Sequence, residues 1–349
     1  MFRKRPKLYL ALGILSLTVL CFVHCTSVKR YFPPLPAHTD AVLDSLLKTP
    51  VPSFIVGEVD SAQVGDRHLW YESIGDKQNP TLILVMGYLA PATSWPVPFV
   101  NALAEQGYHV VRFDNRGIGL STLSPTWSKR NPYYMDDLAN DVIAILDDLG
   151  KKKAHIAGMS MGGMIAQTVA INHPERVESL ISISSTGHFY DKKMQTFSRE
   201  VLMSNVALIR KYGFHPKDPK KDIKKRVLTF AYLGQEEEIT YERLTAITQL
   251  SLFETQERGG RKKQLGKRQA YAIKHSPARW DDLSKLEMPT LVIHGKRDPL
   301  ITLAHGKRCA DLIPNSKLVV IEDFGHIPSN IHWRQMASEM TAFLQGQDN

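Results

Sequence analysis

The chain has 349 residues and carries 44 Lys+Arg against 35 Asp+Glu, a formal net charge of +9. Its 43% hydrophobic and 23% charged residues exclude wholesale disorder, and the lack of a fixed period excludes coiled coils and repeat arrays. Three cysteines, two of them within the first 25 residues, exclude a disulfide scaffold.

The chain opens with a basic stretch containing Arg3, Lys4, Arg5 and Lys7. The run LYLALGILSLTVLCFV (8–23) follows, 16 residues without a charge. A comfortable bilayer span needs about 20. Residues 1–28 therefore read as a signal anchor or signal peptide. The positive-inside bias sends the rest of the chain to an extracytoplasmic, periplasm-like side of a membrane. Lipidation of Cys25 is the alternative, although His24 stands where lipoprotein processing favours a small residue. Residues 29–53, with Pro33, Pro34 and Pro36, read as a tether.

From Phe54 onward, short β-rich runs alternate with helical ones. FIVGEV (54–59) and HLWYESI (68–74) predict an opening hairpin. TLILVM (81–86) and YHVVRF (108–113) are continuous apolar runs, as expected of strands buried on both faces. PFVNALAEQG (98–107) and MDDLANDVIAILDDLG (135–150) predict helices, the second with Leu138, Val142, Ile145 and Leu146 on one face. KAHIAG (153–158) and VESLISIS (177–184) are strands flanking a helix from Met161. After residue 288 come TLVIHG, LAHGKRCADLI, KLVVIE and a last helix. This alternation implies an α/β fold with a mostly parallel sheet and helices on both faces. It stops between 187 and 280, which reads as a helical cap inserted between two core segments, 54–186 and 281–349.

The strongest chemical signal is Gly158-Met159-Ser160-Met161-Gly162-Gly163, a G-x-S-x-G between a predicted strand and a predicted helix. A tight strand-to-helix turn brings the residues two before and two after Ser160 close together, so Gly158 and Gly162 must be small. The turn lifts the Ser160 hydroxyl off the sheet and aims the Met161 N–H at a developing oxyanion. A chance Gly/Ser turn is the bland alternative. A serine nucleophile needs a base, and the base needs an orienting acid. Asp298, after TLVIHG, and His326, after KLVVIE, follow in the order Ser, Asp, His, each at a strand's carboxyl end. His294 is the rival histidine and reads as packing. The loop after the third strand offers Gly87 for a sharp turn and the Tyr88 N–H as second oxyanion donor. Asp114 to Ser121 lacks the Lys-Ser/Thr of a phosphate loop and reads as a structural turn in which Asp114 and Arg116 hold neighbouring loops. No Cys/His spacing suits a metal, no cofactor is called for, and Cys309 reads as a buried small apolar residue.

These motifs resemble the α/β-hydrolase superfamily from about Phe54 to the end of the chain. The landmarks are GMSMGG, DNRGIGLS, PTLVIHGKRDPL and DFGHIP. LVMGYLAPATSWP, HSPARWDDLSKLEMPTLVIHG and HGKRCADLIPNSKLVVIE resemble the aclacinomycin methylesterase-like esterase branch. The resemblance implies a Ser160–His326–Asp298 triad, oxyanion donors at Tyr88 and Met161, and no cofactor. Met86-Gly87 departs from the usual His-Gly. A serine at the elbow, instead of an aspartate, argues against epoxide hydrolase and dehalogenase chemistry.

The expected function is hydrolysis of a small or medium lipophilic ester through an acyl-enzyme, with the membrane as a second partner. An aminopeptidase or amidase, reading a substrate amine with Glu236, Glu237 and Glu238, is one alternative. A non-catalytic membrane-tethered binding protein is the other. No nucleic-acid-binding signature accompanies the positive charge. Residues 1–30 hold six Lys/Arg and no acid, and residues 187–280 hold 20 Lys/Arg against 10 Asp/Glu, which leaves an acidic core. The basic excess belongs to the amino terminus and the cap, notably Lys217 to Arg226 and Arg261 to Arg268.

Overall fold

The computed structural model describes residues 27–123, 126–194, 196, 198–260 and 264–347. All but the last two residues of the segment read as a signal anchor, residues 1–26 with Cys21 and Cys25, lie outside the described residues, as do residues 261–263 of the second basic stretch. Among the described residues, no helix is long and apolar enough to cross a membrane.

Among the described residues, eight strands form one sheet: β1 (Glu58–Val64), β2 (Arg67–Ile74), β3 (Thr81–Val85), β4 (His109–Phe113), β5 (Ala154–Met159), β6 (Val177–Ile183), β7 (Thr290–Gly295) and β8 (Ser316–Ile321). Their order is β1-β2-β4-β3-β5-β6-β7-β8. Only the β1–β2 and β2–β4 pairs are antiparallel; β4, β3, β5, β6, β7 and β8 run parallel. The mostly parallel sheet expected from the sequence is therefore the fold. Strands β3, β4, β5 and β7 are buried along their whole length, which explains their unbroken apolar text.

Alternate residues feed two cores. Ile83, Val85, Val111 and Phe113 pack with Leu138, Val142 and Ile145 of one helix and Ile165 of another; Leu82, Leu84 and Val110 pack on the other face with Phe99, Trp333 and Met336. In chain order the helices are α1 (Val28–Tyr31), α2 (Thr39–Leu46), α3 (Val97–Glu105), α4 (Met135–Asp148), α5 (Met161–Asn172), α6 (Arg199–Tyr212), α7 (Pro219–Gly234), α8 (Tyr241–Gln256), α9 (Leu265–His275), α10 (Trp280–Leu283), α11 (Leu303–Leu312) and α12 (Asn330–Gln345).

Two expectations change. The hairpin begins at Glu58, not at Phe54. The N–H groups of Val56 and Gly57 donate to one oxygen of Glu72, at 2.6 Å each, so this stretch is held by a side chain and not by a strand. The other oxygen of Glu72 pairs with Arg112 at 2.7 Å, and both side chains are fully buried. Secondly, residues 29–53 contribute to a third core. Phe32 and Leu43 pack among Ala207, Leu208, Ile223, Val227 and Ala231 of α6 and α7, and Leu43 has no exposed surface. Lys224 Nζ donates to Asp40 and Lys220 Nζ pairs with Asp44, at 2.6 and 2.7 Å, while Tyr241 Oη donates to the Ala37 carbonyl at 2.6 Å. The segment read as a tether is built into the cap.

Leu43→Ala is therefore expected to cost about 2–5 kcal/mol, the usual range for truncating a buried leucine. Thermal or urea unfolding measures it, and an unchanged midpoint would return the segment to the status of a tether.

Candidate active site

The sheet brings the sequence-predicted residues together at one end. Ser160 follows β5, the tyrosine loop follows neighbouring β3, and Asp298 and His326 follow β7 and β8. Parallel strands place all four loops at their carboxyl ends, where open α/β sheets bind ligands.

Ser160 stands between β5 and α5 with φ 56° and ψ −119°, a left-handed backbone for a residue with a Cβ. Its N–H donates to the Ile183 carbonyl at 2.8 Å. Its carbonyl accepts from the N–H groups of Gly163 and Met164, at 3.0 and 3.2 Å, and from Ser185 Oγ at 2.8 Å. A Cβ on Gly158 would overlap the carbonyl of Gly162, as the sequence argument requires. A Cβ on Gly162 would instead overlap the carbonyl of Val85 at the end of β3. The second glycine thus lets the nucleophile turn pack against the neighbouring strand.

His326 Nε2 lies 3.0 Å from Ser160 Oγ, and His326 Nδ1 lies 2.7 Å from Asp298 Oδ2. The other oxygen of Asp298 accepts the N–H groups of Leu300 and Ile301, at 2.8 and 2.9 Å. Asp298 and His326 are buried and Ser160 is half-buried. With Nδ1–H donated to the carboxylate, Nε2 is the acceptor facing the serine hydroxyl. This is the order of contacts a serine nucleophile needs.

His294, the rival, lies beneath this chain. Its Nε2 donates to the Ile301 carbonyl at 2.8 Å and stands 3.7 Å from Asp298 Oδ2. Burial holds its pKa below the usual histidine range, so it is a neutral packing group behind the carboxylate.

The proposed oxyanion donors stand on either side of Ser160. Met161 is the first residue of α5, where helix geometry gives the N–H no acceptor within the helix. Gly87 faces the serine directly: a Cβ there would sit 3.2 Å from Ser160 Cβ and 3.7 Å from the Met161 nitrogen. Tyr88 follows it. The loop is pinned on both flanks, by Asn115 Nδ2 donating to the Met86 carbonyl at 2.9 Å and by the Leu89 N–H donating to Gln269 Oε1 at 2.8 Å. Tyr88 Oη donates to the Gly266 carbonyl at 3.0 Å, so its side chain ties the loop to α9.

Sequence reasoning missed what the inserted helices do here. The Leu233 carbonyl, in the last turn of α7, accepts the His326 N–H at 2.6 Å. Gln269 and Gly266 of α9 hold the loop of Tyr88. A buried cluster adds a third tie: Arg258 pairs with Asp114, lies 3.3 Å from Glu254 and stacks 3.9 Å above the Trp70 ring. Glu254 also accepts the Thr93 hydroxyl, and burial raises its pKa. Asp114 in turn accepts the N–H groups of Ala92 and Leu120, at 2.9 and 3.0 Å. Arg116 forks onto Asp141 with two contacts of 2.6 Å. Both residues hold loops, as expected of a structural turn. Backbone carbonyls carry no sequence signature, and Asp114 and Arg258 are 144 positions apart.

No group of three or more His, Cys, Asp or Glu with metal-holding geometry occurs among the described residues. Cys309 is fully buried, and burial pushes its thiol pKa up to about 12. A cleft of about 720 Å³ between α3 and α12 contains none of Ser160, Asp298 and His326.

Fold and site together define an α/β-hydrolase. Residues 80–329 match the alpha/beta hydrolase fold family, and the chain belongs to it. Within the family it is distantly homologous to rhodomycin D methylesterases, which bears out the branch resemblance. The protein of a Streptomyces species is 29% identical over 279 residues, covering 76% of this chain and 91% of the relative. The 3-oxoadipate enol-lactonase 2 of Acinetobacter baylyi is 26% identical over 268 residues, covering 75% and 88%. Among solved structures, a membrane phospholipase A described as a bacterial virulence factor superposes with a TM-score of 0.66 at 24% identity, covering 98% of this chain and 99% of that one. A Rhodococcus esterase gives 0.64 at 20%, covering 82% and 98%. These two structures share the fold.

Gly162→Ala is expected to destabilise the protein by about 2–4 kcal/mol, because the methyl group meets backbone that cannot yield. A melting temperature equal to wild type would show that β3 and the elbow can separate.

Proposed function

We propose that this α/β-hydrolase is a serine ester hydrolase that cleaves a small or medium lipophilic ester through an acyl-enzyme. The observation that carries the reading is the unbroken contact chain from Asp298 through His326 to Ser160, on a left-handed turn at a helix start. Ser160 Oγ attacks the ester carbonyl while His326 Nε2 takes its proton. The N–H groups of Met161 and Tyr88 receive the oxyanion. His326 returns the proton to the departing alkoxide, then activates water to release the acid and restore the serine. Asp298, with its second oxygen filled by two backbone N–H groups, holds the imidazole in the required tautomer.

A cavity of about 170 Å³ beside the site supports a lipophilic substrate: Phe32, Val201, Leu208, Tyr232, Leu233 and Leu300 line it together with Ser204, Asn205 and Thr229, and Ser160, Asp298 and His326 lie outside its lining. Two of these residues touch the triad loops through backbone: Leu300 donates to Asp298, and Leu233 accepts from His326. The amine-reading alternative is weakened, since Glu236 pairs with Arg243 at 2.7 Å and Glu237 lies 3.6 Å from Arg297. Residues 1–28 are proposed to anchor the enzyme in a membrane, with the catalytic domain on the extracytoplasmic side.

Ser160→Ala is expected to abolish fluorophosphonate labelling, and Asp298→Asn to lower kcat on p-nitrophenyl butyrate by about 10⁴-fold. Unlabelled wild-type protein would leave a non-catalytic binding protein as the better reading. Separately, Leu208→Ala enlarges the cavity and is expected to raise p-nitrophenyl octanoate turnover relative to acetate severalfold. An unchanged ratio would remove the cavity from the substrate's path.

A further inference from the structure

Helix α6 is apolar on two opposite faces. Val201, Ser204, Leu208 and Tyr212 point into the cap core and are buried. On the other side Leu202, Val206 and Ile209, spaced i, i+4 and i+7, form a second stripe. Leu202 is 58% exposed and Ile209 37%; Phe214, in the turn after the helix, is 67% exposed. The turn is fixed, because Lys225 Nζ donates to the carbonyls of Gly213 and Phe214 at 2.8 Å each. Large apolar side chains held outward in a row mark a contact surface, since folding alone gains nothing from them.

The surroundings name the occupant. Between residues 199 and 226 there are nine Lys/Arg against three Asp/Glu; Lys220 and Lys224 are paired with Asp44 and Asp40, which still leaves a basic excess, and Arg199 and Arg210 flank the stripe on α6 itself. Apolar side chains ringed by basic ones are the pattern of a helix lying in a membrane interface. The chain's own course points the same way. Helix α1, with exposed Lys29 and Arg30, packs against α6. The uncharged run 8–23 ends only four residues before α1 begins. Even fully extended, the link from Val23 to Val28 spans no more than about 18 Å. Phe32 and Leu43 then lock the following residues into the cap core, so this short link cannot lengthen by peeling the segment away.

We propose that the outward face of α6, with Leu202, Ile209 and Phe214 as its apolar contacts, docks on the surface of the anionic membrane in which residues 8–23 are inserted. Docking places the side of the cap that carries Val201 and Leu208 within one helix thickness of the lipid. The acyl cavity then lies next to a source of lipophilic esters that need not cross water.

The test uses the full chain reconstituted in phosphatidylcholine vesicles, with and without phosphatidylglycerol. Ile209→Trp and Phe214→Trp place a reporter on the face. Lipids brominated high on the acyl chain are expected to quench the added fluorescence, more strongly with phosphatidylglycerol present. An added tryptophan that aqueous acrylamide quenches and bromolipid does not would overturn the proposal. Protection from both quenchers would also overturn it, because a second copy or another protein would then cover the face. In a second arm, the Leu202→Asp/Ile209→Asp variant is expected to lose about tenfold in turnover of a vesicle-embedded ester. Its turnover of soluble p-nitrophenyl butyrate should be unchanged. Equal loss on both esters, or on neither, would count against docking. Failure of the ester-hydrolase reading is distinguishable, since it would abolish soluble turnover in wild type while leaving the quenching intact.

Discussion

The site depends on one close approach of backbone to backbone. Ser160 can stand clear of the sheet only if the strand before it and the helix after it nearly touch, and only if that helix start also nests against the end of β3. Gly158 and Gly162 permit these two contacts. Left-handed backbone at Ser160 costs on the order of 1–3 kcal/mol, and its surroundings over-determine it: the N–H and the carbonyl of Ser160 make four hydrogen bonds, two with the end of β6 and the loop after it and two with the first turn of α5. The same nesting brings Gly87 against the serine and the first turn of α5. One steric constraint therefore fixes Ser160, the Met161 N–H at the helix start and the loop of Tyr88 together.

The inserted helices act on the machinery instead of merely covering it. Helix α7 holds the histidine loop through one carbonyl, and α9 holds the loop of Tyr88 through Gln269 and Gly266. The buried Arg258–Asp114 pair sits where the end of α8 meets the core. Pairing charges away from water gains little net stability, whereas removing one partner is costly, so such a cluster serves registration better than it serves stability. The core loops and the cap are thereby held in one relative position. Phe32 rests on Tyr232, with ring centroids 5.5 Å apart, and Tyr232 precedes the residue whose carbonyl holds His326. The amino-terminal segment is thus two packing steps from the triad.

The parts legible in the sequence were those with a local signature. Buried parallel strands wrote themselves as apolar runs, and each of the three side chains facing one another at the site followed such a run. Glycine spacing around Ser160 encoded the turn. What was illegible is non-local. Residues 29–53 show prolines and one short apolar run, Val42, Leu43, Leu46 and Leu47, and nothing in so short a run shows that a core 160 to 190 positions away, in α6 and α7, would take it. FIVGEV looked like a strand because its composition is β-rich, and nothing in it shows that Glu72 would take its N–H groups. Glu236, Glu237 and Glu238 read more readily as a solvated face than as amine receptors, and nothing local to them shows that Arg243 and Arg297 stand beside the first two.

The partition of charge has a physical consequence that the net value hides. Within the core, Arg112, Arg116 and Arg258 are buried against Glu72, Asp141 and Asp114, and act as bolts. The surplus positive charge lies on surfaces where no acid answers it in number, above all from α6 into α7. An exposed positive field costs self-repulsion, and an apolar stripe beside it costs hydration; folding compensates neither. Both costs fall when one anionic, partly apolar surface meets the two features together. A nucleic acid would satisfy the charge and leave Leu202, Ile209 and Phe214 in water. A neutral protein would cover the stripe and bring no anionic surface to the net positive charge of α6 and α7. A membrane surface with anionic headgroups satisfies both.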